Sequence, residues 1–426
     1  MELTVEKLIY GGDGLARVVS GERAKTVFVP YVLPGERVEA SIVEDKPGFA
    51  RAALNQVLEP SKLRSSPPCP YYGECGGCHY QHIGYEDQLR FKAEILTETL
   101  RRVAKLELPV ALQAHASPPL NYRNRTRFHV RANPDFAIGY FRHGSHDLLP
   151  IRECPISSPQ INKVLSELWK LAEKQRIPSQ IKEIELFANH SDDACLVELY
   201  VRESADDIQL RSFAETFSRM VSETVGIASF RDSRKPESKA NSLWGEPKMN
   251  YAAAGETYRI SAGAFFQTNR HLISRMAELV TDERNGRLAL DLYSGVGLFT
   301  LPLARRFERV IAVESSSTSV EDLRASAPAN VKISAQSTEH YLTSAAGKLR
   351  PDLVIADPPR SGLGSVVCRE LLKLPAKQLV YVSCDPATLA RDLKQFTVGG
   401  FNIVEMHLID LFPQTFHVET CTVLRR

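Results

Sequence analysis

The first sixty residues alternate apolar and polar positions with the two-residue period of strands, as in Thr26-Val27-Phe28-Val29 and from Arg37 to Val43. Turn chemistry separates these runs at Gly11-Gly12-Asp13-Gly14 and Leu33-Pro34-Gly35, which predicts a small β-barrel of the OB kind over residues 1–60. A Pro/Ser-rich linker, Ser61 to Pro70, follows. Between Tyr85 and Val103 the period changes: Leu89, Ala93, Leu96, Leu100 and Val103 recur at helical spacing and predict an amphipathic helix. From about 120 to 250, strand-like runs such as Ile184–Phe187 and Ala194–Tyr200 mix with helical ones, giving a central α/β region over 61–255. Beyond 256 the apolar runs Leu288–Leu292, Val310–Val313, Leu353–Ala356 and Leu379–Val382 alternate with helices, the pattern of a doubly wound, Rossmann-like parallel sheet. Two last runs, Phe401–Ile409 and Phe416–Leu424, joined by a short turn around Pro413, predict an antiparallel hairpin at one edge of that sheet.

Composition narrows the class. A chain of 426 residues, 43% hydrophobic and 24% charged, has enough apolar material for several cores and is not disordered. Its formal charge of +2 means that a nucleic acid would have to be held by a local basic patch. The N-terminus lacks an apolar signal core, and charges such as Asp291 and Arg305 interrupt the later apolar stretches, so neither secretion nor a membrane span is expected and the protein is placed in the cytoplasm. Eight cysteines are too few for a disulfide scaffold. Cys69, Cys75 and Cys78 crowd together, and with Cys154 they supply four thiolates for either zinc or an iron-sulfur cluster; the spacing does not separate the two. Gly73, Gly76 and Gly77 would let the backbone wrap a bulky group. Tyr122 to Arg131, read as a strand, puts Arg123, Arg125, Arg127 and Arg131 on one face, a row suited to tracking phosphates, or simply a solvated face.

Chemistry concentrates in the C-terminal region. Asp291-Leu292-Tyr293-Ser294-Gly295-Val296-Gly297 follows a strand, and Glu314 closes the next strand about 20 positions on, where a carboxylate can accept from ribose hydroxyls. Thr300 stands where a dinucleotide motif needs its third glycine, which favours S-adenosylmethionine over NAD. Asp357-Pro358-Pro359-Arg360 follows another strand of the same sheet. Cys384 lies directly after a strand and before a helix capped by Asp385 and begun by Pro386, a setting in which the helix dipole favours a thiolate. Such a thiolate can add to C6 of a pyrimidine and activate C5 towards a methyl donor. The C5 proton must then go to a base, for which Glu419 is the candidate and His417 the competitor.

In these motifs the chain resembles the RNA uracil-5 methyltransferases, and within them the branch acting on 23S ribosomal RNA. The resemblance spans nearly the whole chain: an N-terminal TRAM-like barrel, Cys75 to His82, Asn121 to Asn124, Phe266 to Asn269, Asp291 to Gly297, Asp357 to Arg360, Ser383 to Pro386, and His417 to Thr420. It implies that Cys69, Cys75, Cys78 and Cys154 hold a [4Fe-4S] cluster, that Gln267, Tyr293, Gly295, Glu314 and Asp357 line the S-adenosyl-L-methionine pocket, and that Cys384 and Glu419 are nucleophile and base. It also implies that part of the helix from Tyr85 packs with the catalytic domain at 256–426. The partner implied is 23S rRNA, with tRNA as the alternative, and no obligate protein partner is expected. Leu298, where some members carry a polar residue, is not expected to touch the cofactor.

Overall fold

The computed structural model describes residues 1–20, 23–132, 135–231, 239–345 and 348–426. Strands Glu2–Leu8, Gly14–Ser20, Arg23–Val29, Phe49–Glu59 and Arg37–Asp45 close, in that order, into a five-stranded barrel. Val5, Ala16, Val27, Val38 and Ala40 fill its interior, and closure leaves no unpaired edge.

The central region builds a seven-stranded sheet in the order Asn241–Gly245, Thr224–Arg231, Cys195–Val201, Ile181–Ala188, Arg125–Arg131, Ala137–Phe141, Leu148–Pro150. Helices Pro159–Glu173 and Asp207–Met220 supply Val164, Leu165, Leu168, Phe213 and Phe217 to its core. The first has Ser158 as N-cap and proline at its start, as the sequence chemistry of helix entry requires.

The C-terminal region forms an eight-stranded sheet in the order Val331–Ala335, Phe307–Glu314, Gly286–Leu292, Leu353–Ala356, Gln378–Ser383, Glu419–Arg425, Asn402–Ile409, Leu112–His115. Its first five strands are parallel. Chain order reverses between Gly286–Leu292 and Leu353–Ala356, so the crevice at their carboxyl ends is the natural ligand position.

The terminal hairpin differs from the sequence expectation in two ways. Glu419–Arg425 is inserted between Gln378–Ser383 and Asn402–Ile409, and the edge is taken by Leu112–His115, paired parallel to Asn402–Ile409. A strand from far upstream thus covers an edge that would otherwise expose its amides. The connection is nine residues, 410–418, not a short turn. The helix Tyr85–Thr99 runs on into a wider turn, Leu100–Ala104, and Leu96, Leu100 and Ala104 lie in the same core as Leu290, Tyr381 and Leu393 of the C-terminal sheet. Another core is shared between sheets, joining Phe187, Tyr200 and Phe230 to Phe266, Val296 and Ile355. Among the described residues no helix is long and apolar enough to cross a membrane.

Candidate active site

At the reversal point, Tyr293 and the glycines 295 and 297 all take positive φ (61°, 54° and 98°), turning the chain sharply off the end of Gly286–Leu292. At Gly297 the requirement is double, since a Cβ there would lie 2.5 Å from Leu323 Cδ1. Gly295 N donates to Glu314 Oε2 at 2.9 Å, while the amides of Ser315 and Ser316 donate to its Oε1, each at 2.7 Å, so the carboxylate is fixed at the rim. The Thr300 hydroxyl donates to Asp291, which is fully buried; burial pushes the Asp291 carboxyl up to about 7 against that hydrogen bond. Gln267, Tyr293, Gly295 and Asp357 line one cleft together with Phe265, Phe266, Ser294, Leu298 and Phe299. Leu298 therefore does face the cleft. Part of the aromatic wall was not legible in the sequence: Phe266 opens a recognised motif, but Phe265, 66% exposed, carries no periodic or motif signal of its own.

Antiparallel pairing places Ser383 opposite Thr420, and the Thr420 hydroxyl donates to Ser383 O at 3.1 Å. The next residue of one strand and the preceding residue of the other, Cys384 and Glu419, are thereby brought side by side, with Asp357 at the end of the neighbouring parallel strand. Helix Pro386–Val398 begins as expected, with Asp385 accepting from the amides of Ala387 and Thr388 at 3.0 and 2.8 Å. The electrostatics do not follow the helix-dipole expectation. Burial, then the carboxyls of Glu419 and Asp357, push the half-buried Cys384 thiol up to about 12, and only Arg360 among nearby charges pulls it down. Desolvation and Asp357 raise Glu419 well above the usual carboxylate range, and burial lifts Asp357 to about 7. His417 goes the other way, to about 3, because burial and Arg360 oppose its cationic form.

The N-terminal barrel reaches this site. Tyr10, at the turn after Glu2–Leu8, donates its hydroxyl to Cys384 O at 3.4 Å and meets the Phe416 ring edge-on at 5.4 Å.

Cys69, Cys75, Cys78 and Cys154 line a separate cavity of about 460 Å³, with Tyr72, Arg123 and Tyr140 in its wall. None of the four forms a disulfide, and burial pushes the thiols of Cys75 and Cys78 up to about 11 and 12. Among the described residues no three His, Cys, Asp or Glu side chains are grouped to hold a metal ion. Gly77 N donates to Cys75 Sγ at 3.4 Å, and Gly76 N to Phe141 O at 3.0 Å.

The arginine row is largely spoken for within the fold. Arg125 is ion-paired with Glu185 and, at 3.1 Å, with Glu198. Arg127 pairs with Glu185 at 2.6 Å and stacks 3.8 Å from the Tyr200 ring centre. Arg123 Nε donates to Arg125 O at 3.0 Å, and Arg131, exposed, to Asp135 O at 3.3 Å.

Comparison with known proteins agrees with this architecture. Residues 84–426 match the family model described as tRNA (Uracil-5-)-methyltransferase, and residues 1–54 match the TRAM domain. The chain is 33% identical to the 23S rRNA (uracil(1939)-C(5))-methyltransferase RlmD of Halomonas elongata, covering 99% of this chain and 89% of that one. It is 32% identical to an uncharacterized RNA methyltransferase of Aquifex aeolicus, over 100% and 98%. The crystal structure of Pyrococcus abyssi tRNA (uracil-54, C5)-methyltransferase in complex with S-adenosyl-L-homocysteine superposes with a TM-score of 0.76 at 25% identity, covering all of both chains. With a match over most of its length and relatives at this level of identity, the chain belongs to the RNA uracil-5 methyltransferase family and carries a TRAM domain at its N-terminus.

Proposed function

We propose that this enzyme methylates C5 of a specific uridine in 23S rRNA, acting in the cytoplasm through Cys384 as covalent nucleophile and Glu419 as general base. The observation that carries the reading is the strand register that sets these two side chains next to each other, beside Asp357 and the aromatic cleft. S-adenosylmethionine, held along Gln267, Tyr293, Gly295, Glu314 and Asp357, supplies an electrophilic methyl group on its sulfonium. The fit rests on the close backbone passage at Gly297 and the anchored Glu314 carboxylate.

A uracil base must leave its stack to reach the cleft, which costs least in a loop or bulge. Asp357 accepts from the ring N3–H, a donor that cytosine lacks. The Cys384 sulfur bonds to C6 as its thiol proton passes to water, which the half-buried side chain still meets, and the pair of electrons displaced from the C5–C6 bond makes C5 nucleophilic. Glu419 then takes the C5 proton from the methylated adduct, the C6–S bond breaks, and the sulfur leaves. Burial that raises Glu419 makes its carboxylate the stronger base for that step. His417, held neutral with a depressed pKa, is the weaker one.

RNA carrying 5-fluorouridine tests this. A stable protein–RNA adduct should form, map to Cys384 and be absent in Cys384→Ala; no adduct with wild-type protein would overturn the reading. The choice of 23S rRNA follows the RlmD relative; the tRNA enzyme of similar structure keeps tRNA as the second reading. Mass spectrometry of both RNAs from a deletion strain decides, since 5-methyluridine lost from tRNA and intact in rRNA refutes the ribosomal assignment.

The four cysteines are read as the seat of a [4Fe-4S] cluster: their thiols, free of disulfides, face one cavity and glycines 76 and 77 bring the backbone close, although the side chains are not drawn together into a metal-holding group among the described residues. Bound there, a cluster would tie the 69–78 loop to the segment at Cys154 and offset the cost of buried thiolates. Iron and sulfide analysis of anaerobically purified protein, with visible absorption, checks this. Among the four arginines, Arg131 is exposed and, like the part-buried Arg123, has no carboxylate partner among the described residues to give up on meeting a phosphate, while Arg125 and Arg127, held by Glu185 and Glu198, would shape the RNA face from behind.

A further inference from the structure

Residues 410–414 belong to no helix or strand, yet Asp410, Leu411, Pro413 and Gln414 are buried. A buried irregular segment must find a partner for each backbone polar group. Here five consecutive carbonyls do so, each through a side chain or amide from a distant part of the chain. Asn269 Nδ2 donates to Leu411 O at 3.1 Å and Asp410 O at 3.4 Å. Lys92 Nζ donates to Phe412 O at 3.0 Å while ion-paired with Asp410 at 2.6 Å. The Tyr122 hydroxyl donates to Pro413 O at 3.0 Å, and the amides of His79 and Tyr80, directly after Cys78, donate to Gln414 O at 2.8 and 2.9 Å. Gln88 completes the set: its Oε1 accepts from Gln414 N and its amide donates to Gln414 Oε1, both at 2.9 Å, holding Gln414 at φ 67°.

None of Gln88, Lys92, Tyr122 or Asn269 lines the cleft. What they share is this segment, and the segment hands its geometry onward. Phe412 O accepts from the Thr415 hydroxyl at 2.8 Å, and that hydroxyl oxygen accepts from His417 N at 3.2 Å, two residues before Glu419.

We propose that Gln88, Lys92, Tyr122 and Asn269 are positioning residues for proton removal: they clamp 410–414 so that the 415–418 loop keeps Glu419 aimed at the C5 proton and shut from water. This rests on the reading of Glu419 as the base. It also gives a task to Tyr122 and Asn269 and to the amides after Cys78, which belong to three sequence motifs but do not themselves line the cleft.

The test separates addition from proton removal in the full-length protein. With 5-fluorouridine RNA the adduct forms without any C5 proton to abstract, whereas turnover of uridine RNA needs that step. Tyr122→Phe, which removes one hydroxyl, and Gln88→Met should form the fluoro adduct at within about twofold of the wild-type rate. They should lose ~10-fold or more in kcat on uridine RNA, with KM for S-adenosylmethionine unchanged and covalent intermediate accumulating as in Glu419→Gln. If wild type forms no adduct, or Glu419→Gln shows no such split, the reading of the site itself fails. If both controls behave and the two variants keep wild-type turnover, or lose addition and turnover alike, the clamp is overturned.

Discussion

Replacing Lys92 by methionine should be among the most destabilising single changes available in the C-terminal domain. Both partners of the Lys92–Asp410 pair are fully buried, at 2.6 Å, and burial alone pulls the lysine pKa down while Asp410 pulls it back up. Two opposed charges taken out of water together roughly offset their desolvation, but removing one strands the other, at about 3–5 kcal/mol. For a cooperative unit of a few hundred residues that corresponds to a fall in Tm of roughly 6–20 °C. The natural control is Lys92→Met combined with Asp410→Leu, which replaces the pair by apolar volume and should recover most of the loss. Scanning calorimetry of the wild type, both single variants and the double variant gives the coupling directly. The two tryptophans, Trp169 and Trp244, both belong to the central sheet and its helix, so fluorescence would watch the wrong region. A Lys92→Met protein melting within about 2 °C of wild type would refute the claim that this pair is dry and mutually dependent.

Gly297→Ala should weaken S-adenosylmethionine binding by ~1–3 kcal/mol, from positive φ and the 2.5 Å clash with Leu323; calorimetric titration showing unchanged affinity would disprove it. Arg360→Gln removes the one nearby charge that lowers the Cys384 thiol, so the alkaline-rising limb of kcat/KM should move to higher pH, and an unmoved limb sinks the electrostatic argument. Acid should destabilise the fold through His115 and His417, whose folded pKa values are about 4 and 3. Because the unfolded forms take up protons first, near the ordinary 6.5, this stability is complete above that pH and is lost as pH falls towards 4, by at most ~1.4 kcal/mol per unit for buried His417 and by less for the partly solvent-screened His115. His115→Asn should flatten the slope in urea titrations across that window; an unchanged slope assigns the protons elsewhere.

Local chemistry made much of this fold readable. Period-two alternation marked the barrel strands, the run Leu353–Ala356 needed no context to be a buried strand, and the Asp385-Pro386 entry specified a helix start that the structure reproduces with two capping hydrogen bonds. What could not be read was long-range. Nothing in Leu112–His115 announces that it will cover the edge of a sheet built almost 300 residues later, and nothing in Tyr10 ties the barrel to the carbonyl of Cys384. Charge partners were equally hidden: the arginine row looked free because Glu185 lies on the adjacent strand and Glu198 on the one beyond it, some 60 to 70 residues away in sequence.

The same limit explains why the thiol expectation failed. A cysteine at a helix N-terminus is favoured as thiolate only if the rest of its surroundings is neutral or positive, and sequence shows the helix without the surroundings. Folding adds burial and two carboxyls, and these outweigh the dipole, favouring the Cys384 thiol over its thiolate. On the proposed mechanism, that suits a nucleophile that must wait for a flipped base. A thiolate exposed in an open cleft would be vulnerable to oxidation, whereas one generated as it bonds to C6 delivers its charge at once to the ring. On that mechanism the Glu419 carboxyl that helps suppress the thiolate is the one the later step requires, so the cost of holding three acidic groups together is set against keeping thiol and carboxyl dormant until substrate arrives.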